Sequence, residues 1–253
     1  MNYYSLEHDN QFMSCSQYDM WEQCEAKYIA YLEGNYTREE TTPFLVGNYI
    51  HSWLDGSQEK FKELHPNIFT KKGDLKSEYQ EANTMIEVLK EDPFCMDMLS
   101  GTCEATFFGN LFGLPWKIRV DKWKPGLYRV VDLKTTRSIQ MKYEGGISFI
   151  EKYKYQRRAA VYAEIVRQFR NEKDYPHFYI VAISKETTPD KIVIDMTDFS
   201  RWEEELYYIK NNVERIKLLR NKQLIPVRCE RCNYCKSTKK LSEIVYYKNI
   251  LEV

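Results

Sequence analysis

Apolar side chains recur every three or four positions in several stretches of this chain, which is the pattern of amphipathic helices. The first stretch covers residues 16–33 and stops at Gly34, a residue that commonly ends helices. The same periodicity predicts further helices at about 44–62, 77–91, 149–170 and 200–221. These helices lie on both sides of a central region with a different pattern.

That central region, residues 102–136, is rich in β-branched and aromatic side chains. The runs "CEATFFG", "LPWKIRVDKW" and "YRVVDLKTT" predict a three-strand meander, with turns at Gly109-Asn110 and Pro125-Gly126. Two more strands, "HFYIVAIS" and "KIVIDM", follow the helix at 149–170. This order predicts an α/β fold, in which a central mixed sheet of an antiparallel meander plus further strands is flanked by helices.

We predict one domain over residues 1–253, with its core at about 44–221. No internal repeat or low-complexity linker divides the chain. The N-terminal helix at 16–33 and the C-terminal tail at 222–253 lie outside this core, and we expect a cysteine metal site to join them.

Composition limits the classes of partner. The 253 residues include 37 basic and 37 acidic side chains, so the formal net charge is zero and nucleic acid can be held only by a local basic patch. No apolar run of 18 or more residues predicts a membrane span. The polar start "MNYYSLEHDN" is not a signal peptide, so we expect a cytoplasmic protein, in a bacterial or phage-infected cell, whose seven cysteines stay reduced or hold a metal.

The strand "VVDLKTT" carries two charged residues on one face. Asp132 and Lys134 are two positions apart and therefore project from the same side, while Leu133 points to the other. A surface ion pair of little energetic weight would explain them. A metal-bound carboxylate beside a lysine directed at a phosphate would also explain them.

Other polar residues favour the second explanation. Asp121 lies eleven positions before Asp132, in the preceding strand, so the two carboxylates can face each other and need a cation between them. Oxygen ligands suit Mg²⁺ or Mn²⁺, and the Leu133 backbone carbonyl could supply another. Glu104 can join or orient this cluster, and His51 can add a nitrogen. Taken alone, Glu104 could face solvent and His51 could be a satisfied core histidine.

The chain resembles the PD-(D/E)XK nuclease superfamily, in particular its RecB/RecE-like phage exonucleases, in the order His51, Glu104, Asp121, Asp132-Leu133-Lys134 and Tyr162. The resemblance implies a restriction-endonuclease-like core and a DNA exonuclease that uses one or two metal ions. It also implies that His51, Asp121 and Asp132 are metal ligands and that Lys134 is the catalytic lysine. We expect Glu104 to support or orient the metal ligands.

One part of the family pattern is altered. Related nucleases carry glutamine four residues before the tyrosine of the helix that follows the D-x-K strand. Here Arg158 occupies that position, and Gln156 lies two residues away from it. We expect Arg158, Gln156 and Tyr162 to contact DNA, although a basic patch on an exposed helix face would also explain the arginine.

The C-terminal "CERCNYC" places Cys229, Cys232 and Cys235 at C-x2-C-x2-C spacing. Such spacing suits an iron–sulfur cluster or Zn²⁺. Some resembling nucleases carry a fourth cysteine before an aromatic-rich N-terminal helix, and Cys24 matches that position, although the C-terminal spacing here is tighter. A [4Fe-4S] cluster or a zinc ion on these four thiols would join the chain ends. The alternative is a tail with three free thiols.

The resulting hypothesis is a metal-dependent DNA exonuclease that processes linear double-stranded ends, with a single-strand annealing protein as the partner that the resemblance suggests. Three alternatives stay open. The chain could be a catalytically silent nuclease-fold module that binds DNA or a partner. It could be an iron–sulfur or zinc scaffold with an incidental acidic cluster. It could also be a sequence-specific restriction-type endonuclease. Oligomeric state is not predicted.

Overall fold

The computed structural model describes residues 3–241 and 244–249. Its helices are α1 (Leu6–Gln11), α2 (Cys15–Gln23), α3 (Glu25–Leu32), α4 (Thr42–Leu54), α5 (Gln58–Leu64), α6 (Ser77–Lys90), α7 (Pro93–Met98), α8 (Phe149–Lys152), α9 (Tyr155–Arg170), α10 (Phe199–Arg220) and α11 (Asn233–Ser237). No helix in these described ranges is long and apolar enough to span a membrane.

A five-stranded sheet confirms the predicted α/β class. Its strands are β1 (Thr102–Leu111), β2 (Leu114–Lys124), β3 (Arg129–Thr136), β4 (His177–Ser184) and β5 (Lys191–Asp195), hydrogen-bonded in that order. The β2–β3 and β4–β5 pairs are antiparallel, whereas β3 and β4 run parallel with α8 and α9 in the connection between them. The sheet is therefore mixed, as the sequence predicts.

The described residues divide into two compact units. One comprises those within 40–110 and 117–209, and the other those within 1–39, 111–116 and 210–253. The C-terminal residues 242–243 and 250–253 of the predicted tail lie outside the described residues.

The first unit contains the main apolar core, against one face of the sheet. Val131, Leu133, Val181 and Ile183 are fully buried there with side chains from α4 and α6. Because side chains alternate along a strand, Asp132 and Lys134 lie on the opposite face. On that face the ring of Tyr162 in α9 packs against Phe178 at 6.0 Å between centroids. One strand thus supplies both a core face and a charged face.

The second unit is held together by the last turn of α10. Arg220 is the centre of a hydrogen-bond network that reaches the Tyr28 hydroxyl at 2.7 Å, Gln17 Oε1 at 2.8 Å and the Asp9 carbonyl at 3.2 Å. A guanidinium group satisfies several acceptors at once because its donors have a fixed planar geometry. The end of α10 is therefore fixed against the N-terminal helices.

Two predicted helices are each broken into two. The helix expected at 16–33 breaks at Cys24, whose extended backbone (φ −168°, ψ 111°) ends α2 and begins α3. The helix expected at 44–62 breaks after Leu54, where Gly56 has φ +79°. In both places a local capping conformation interrupts an apolar periodicity that continues on either side.

The helix expected at 149–170 also breaks, at Lys154, which has the left-handed φ of +54°. The turn expected at Gly109-Asn110 is wrong, since β1 continues through it. The reversal occurs at Phe112-Gly113, where both residues have positive φ (56° and 80°), as two-residue hairpin turns require. Periodicity also missed the short helices α1, α7 and α11.

Gly101, just before β1, supplies a stability test. Its φ is +122°, and an added Cβ would lie 2.5 Å from the Trp123 carbonyl oxygen. We expect Gly101→Ala to lower the free energy of unfolding by at least about 2 kcal/mol, because both backbone strain and overlap oppose it. Urea unfolding monitored by circular dichroism measures the change.

The matched control for this test is Gly126→Ala. An added Cβ at Gly126 meets nothing within 4 Å, and the backbone there is outside the left-handed region. This variant should unfold within about 1 kcal/mol of the wild type. Equal stability of the two variants would contradict the assigned strain at Gly101.

Candidate functional site

Asp121 in β2 connects three elements of the sheet-bearing unit. Its Oδ2 accepts a 2.6 Å hydrogen bond from the Leu133 backbone N–H, and its Oδ1 lies 3.4 Å from His51 Nδ1. His51 stands in the last turn of α4. The helix that packs on the core face therefore brings an imidazole to the edge of the carboxylate site.

Lys134 lies between the two carboxylates. Its Nζ is 2.6 Å from Asp132 Oδ2, 3.8 Å from Asp121 Oδ2 and 3.0 Å from the Leu133 carbonyl oxygen. The side chain of Asp132 is 3% exposed and that of Lys134 12% exposed. This burial does not fit the surface ion pair that the strand pattern alone could not exclude.

The environments of Asp121 and Asp132 move their pKa values in opposite directions. Burial disfavours ionisation of Asp121, but the adjacent His51 and Lys134 outweigh it and hold the pKa of Asp121 far below its usual range. At Asp132 burial is the dominant influence and raises the pKa, although Lys134 opposes the rise. A divalent cation would favour the ionised form of both carboxylates.

Three residues of this site have ligand atoms within 4.8 Å of one another, namely His51, Glu104 and Asp121. Glu104 also contacts Arg119, and its backbone is in the left-handed region at φ +54°. A non-glycine residue in this backbone region is strained, and such strain is often found beside functional sites. One nitrogen and two carboxylate donors fit Mg²⁺ or Mn²⁺.

Asp132 lies outside this three-residue group, and its Oδ2 pairs with Lys134. That oxygen is buried and accepts no hydrogen bond of good geometry, even though Lys134 Nζ is only 2.6 Å away. Lys134 therefore balances the charge of Asp132, but the lone pairs of Oδ2 accept no well-directed hydrogen bond. Such an oxygen is suited to ligate a cation if Lys134 turns toward a substrate.

Sequence reasoning missed the contact that anchors His51. Lys122 is buried, and its Nζ donates to the Leu54 carbonyl at 3.1 Å and lies 2.7 Å from Cys103 Sγ. Leu54 is the last residue of α4, so this lysine fixes the helix end that carries His51. The sequence offered one signal for this contact: Lys122 directly follows Asp121, and Cys103 directly precedes Glu104.

The predicted DNA-contacting residues of α9 differ in their surroundings. Arg158 Nη1 is 3.9 Å from Asp132 Oδ2, so the residue at the expected glutamine position reaches the candidate active site. Gln156 is half-buried, whereas Tyr162 is buried. The neighbouring Arg157 turns to Glu205, with Nε 3.1 Å from Oε2. Contact of Arg158, Gln156 and Tyr162 with DNA remains a prediction.

Tyr155, at the start of α9, is a site residue that the sequence did not single out. Its ring centroid is 5.8 Å from Lys134 Nζ and 5.7 Å from the Arg158 guanidinium carbon. Burial is the main reason why the pKa of Tyr155 is raised, so its hydroxyl stays neutral. The ring forms a wall beside the lysine.

The four predicted cysteine ligands come together in the other unit. Their sulfur atoms all lie within 4.8 Å of one another, with Cys24 Sγ 3.5 Å from Cys235 Sγ. The members of this cluster are Cys24, Cys229, Cys232 and Cys235. Four converging thiols form a closed donor set that fits Zn²⁺ or an iron–sulfur cluster.

Glu25 brings the two parts of the cluster together. Its Oε2 accepts hydrogen bonds from Arg215 Nη2 at 2.7 Å and from the Val227 backbone N–H at 2.8 Å. Val227 comes two residues before Cys229, and Glu25 follows Cys24 directly. The carboxylate therefore holds the entry to the C-terminal cysteines against the start of α3.

The thiols differ in acidity. Burial raises the pKa of Cys235 to about 12 and also raises that of Cys24. At Cys229 burial has the same tendency, but hydrogen bonds from the backbone N–H groups of Arg231 and Cys232 outweigh it and lower the pKa to about 6. The cluster thus contains one thiol that is readily deprotonated, which favours the first step of metal binding.

Comparisons with known proteins find a matching family and a similar solved structure. The family described as "PDDEXK-like domain of unknown function (DUF3799)" matches residues 14–238. A solved crystal structure of a protein from Eubacterium rectale, described as a "Putative exonuclease", is similar to this chain. The two sequences are 34% identical, the match covers 98% of this chain and 96% of that chain, and the TM-score is 0.92. The structure of SSO0001 is 15% identical over 89% of this chain and 94% of that chain, but its TM-score of 0.32 supports no argument. No curated protein matches the chain.

Binding of Mn²⁺ should stabilise the folded protein. At a free concentration of one hundred times the dissociation constant the gain is about 2.7 kcal/mol, because the ion binds only the folded state. Asp121→Asn keeps an acceptor for the Leu133 N–H but removes the charge, so we expect this gain to vanish. Thermal unfolding with and without Mn²⁺ measures it.

Asp97→Asn is the control, because Asp97 also pairs with two cations but is 58% exposed and lies outside the acidic cluster. Its stabilisation by Mn²⁺ should equal that of the wild type. Undiminished stabilisation of Asp121→Asn would show that the ion binds elsewhere.

Proposed function

This chain belongs to the PDDEXK-like family DUF3799, and on that premise we propose that it is a metal-dependent deoxyribonuclease that removes nucleotides from DNA ends. The observation that carries the proposal is the position of Lys134 Nζ, 2.6 Å from Asp132 and 3.8 Å from Asp121 on the same buried site. Two carboxylates and a lysine placed in this way are suited to phosphodiester hydrolysis.

The residues divide the chemistry among them. His51, Asp121, Asp132 and the Leu133 backbone carbonyl would hold Mg²⁺ or Mn²⁺, and Glu104 is placed to join or orient them. The bound ion would supply an activated water and a positive charge beside the phosphate. Lys134 is close enough to both carboxylates to turn from Asp132 toward the negative charge that develops at phosphorus.

The exonuclease assignment rests on two supports. The Eubacterium rectale protein, which is 34% identical over nearly the whole chain, carries an exonuclease description. The order of site residues also resembles that of the phage recombination exonucleases. A single-strand annealing protein is the partner that this resemblance suggests, and linear double-stranded DNA is the corresponding substrate.

A second candidate is a nuclease-fold module that binds DNA without cutting it. The observation that favours it is Arg158, which occupies the expected glutamine position and lies 3.9 Å from Asp132 Oδ2. A permanent pair between this arginine and the carboxylate would compete with a metal ion. The convergence of His51, Glu104 and Asp121 favours the enzyme over this module.

The cysteine cluster is proposed to hold a [4Fe-4S] cluster or a zinc ion in a structural role. Its four sulfur atoms converge and leave no open coordination position for a substrate. The bound group would connect the start of α3 to α11 and the turn before it, and so fix the chain ends. Hydrolysis would not depend on its chemistry.

A nuclease assay tests the main proposal. End-labelled linear duplex DNA is incubated with Mg²⁺ or Mn²⁺, with EDTA as the metal-free reference and covalently closed circular DNA as the substrate without ends. We expect release of label only from linear DNA with metal, and a loss of at least about 100-fold in Asp132→Ala and Lys134→Ala.

Lys124→Ala is the matched control, since Lys124 pairs with Asp97 rather than with the acidic cluster. It should cut at the wild-type rate. Cleavage of the closed circle would replace the exonuclease assignment with an endonuclease. No cleavage of linear, nicked or single-stranded DNA with either metal would leave only the binding module.

Metal analysis tests the cysteine assignment. Protein purified without oxygen should carry either iron with sulfide or one zinc per chain, and Cys24→Ser should lose most of it. Cys95→Ser is the control, because Cys95 is buried away from the cluster and its sulfur belongs to the main apolar core. Full metal content in Cys24→Ser would contradict a four-cysteine site, and loss of cleavage in this variant with the folded structure and melting temperature of the wild type would contradict a purely structural role.

A further inference from the structure

A group of tyrosines adjoins the candidate active site. The rings of Tyr143 and Tyr153 meet at 5.9 Å between centroids and 75°, and those of Tyr153 and Tyr155 meet at 5.9 Å and 35°. Tyr155 contacts Lys134, whose Nζ lies 5.8 Å from its ring centroid. The three rings, here called the tyrosine platform, therefore lead from the catalytic lysine to the surface.

The middle ring is exposed yet held in place. Tyr153 is 48% exposed, whereas Tyr155 is buried and Tyr143 half-buried. The Tyr153 hydroxyl is 3.5 Å from that of Tyr143, and this contact raises its pKa to about 12. The hydroxyl is neutral near pH 7, as that of an ordinary tyrosine is, and does not repel phosphate. A fixed aromatic face binds with little loss of conformational entropy.

The backbone around this ring is also specialised. Lys154, between Tyr153 and Tyr155, has the left-handed φ of +54°, which separates α8 from α9. A capping box between Ser148 and Glu151 fixes the start of α8. A non-glycine residue in this region costs free energy, and such costs are concentrated at functional sites. Here the bend lets two tyrosines only two residues apart bring their rings into contact.

The charges around the platform suit a polyanion. Residues 137–154 contain four exposed basic side chains, whereas one of their two acidic residues, Glu151, is engaged in the capping box. The basic residues are Arg137, Lys142, Lys152 and Lys154. Positive charge beside an exposed ring is the combination that proteins use to bind single-stranded nucleic acid, where phosphates meet cations and bases stack on aromatic faces.

We propose that the tyrosine platform binds unpaired nucleotides of the DNA strand that enters the active site, with a base stacked on Tyr153. This inference rests on the proposed nuclease function and adds its substrate form, a single-stranded or frayed end. In a duplex the bases are stacked on one another and only the outer face of the terminal pair is open, so a paired end offers the ring far fewer stacking positions than an unpaired strand does. A frayed end or an overhang is therefore the substrate form that the platform should favour.

Equilibrium binding tests the platform without any need for cleavage. Fluorescence anisotropy is measured in EDTA with a labelled single-stranded oligonucleotide and with a blunt duplex of the same sequence. We expect Tyr153→Ala to weaken single-strand binding roughly tenfold, as for loss of one stacked base, and to leave duplex binding unchanged. Tyr153→Trp should retain single-strand binding, because it keeps an aromatic face on which a base can stack.

Salt dependence separates stacking from charge. Tyr153→Ala should keep the wild-type slope of log affinity against log salt, whereas Lys152→Ala should reduce that slope by about one because a phosphate contact is lost. Tyr207→Ala is the matched control, since Tyr207 is an exposed tyrosine on α10 with 64% exposure and no place in the platform. It should bind both DNAs as the wild type does.

The outcomes distinguish the two proposals. Wild-type single-strand affinity in Tyr153→Ala, or an equal loss for single-stranded and duplex DNA, would overturn the platform. If the wild-type protein cuts no DNA but shows the expected binding pattern, the platform stands and the nuclease proposal fails. If the protein cuts DNA and Tyr153→Ala cuts frayed and blunt ends as the wild type does, the nuclease proposal stands and the platform fails.

Discussion

The alternation of side chains along β3 is the constraint on which both the core and the candidate active site depend. Val131 and Leu133 fill the apolar cluster beneath α4 and α6, so Asp132 and Lys134 must project from the other face. Parallel pairing with β4 continues from Arg129 to Thr136 and keeps this alternation in register. A slip of one residue would place Asp132 and Lys134 in the apolar cluster and move Val131 and Leu133 to the face that carries the candidate site. The free energy that forms the core therefore also positions Asp132 and Lys134.

The site built on this strand contains two carboxylates with different environments. Asp121 is hydrogen-bonded to the Leu133 N–H and faces His51, so it is held as a carboxylate, whereas burial makes ionisation of Asp132 costly and Lys134 compensates in part. A bound cation would therefore favour the ionised form of Asp132. The burial of Asp132 and the left-handed backbone at Glu104 both cost stability at this candidate site.

The cysteine cluster depends on a different local device. Cys24 interrupts the first long helix, and its sulfur accepts the Lys27 N–H as a cap while also facing Cys235. The ion pair of Glu25 with Arg215 lies next to it and shares its carboxylate with the chain that leads to Cys229. Cys24 thus caps α3 and contributes a thiol to the cluster, and the next residue, Glu25, forms the salt bridge. The cap at Cys24 is the reason why the helix breaks at this point.

The sequence by itself determined the class of the sheet, the charged face of β3 and the three closely spaced C-terminal cysteines, because period-two alternation and short ligand spacing are local properties of a chain. Cys24, far away in the chain, was identified through the family resemblance. Helix breaks at Cys24 and Lys154 were not visible, since a cap or a left-handed residue leaves the apolar period intact on both sides. Only the tertiary structure brought Lys122 to the end of α4, placed Tyr155 beside Lys134 and aligned Tyr143 with Tyr153. Those contacts join residues far apart in the chain or across a bend, and their geometry is set by packing rather than by periodicity.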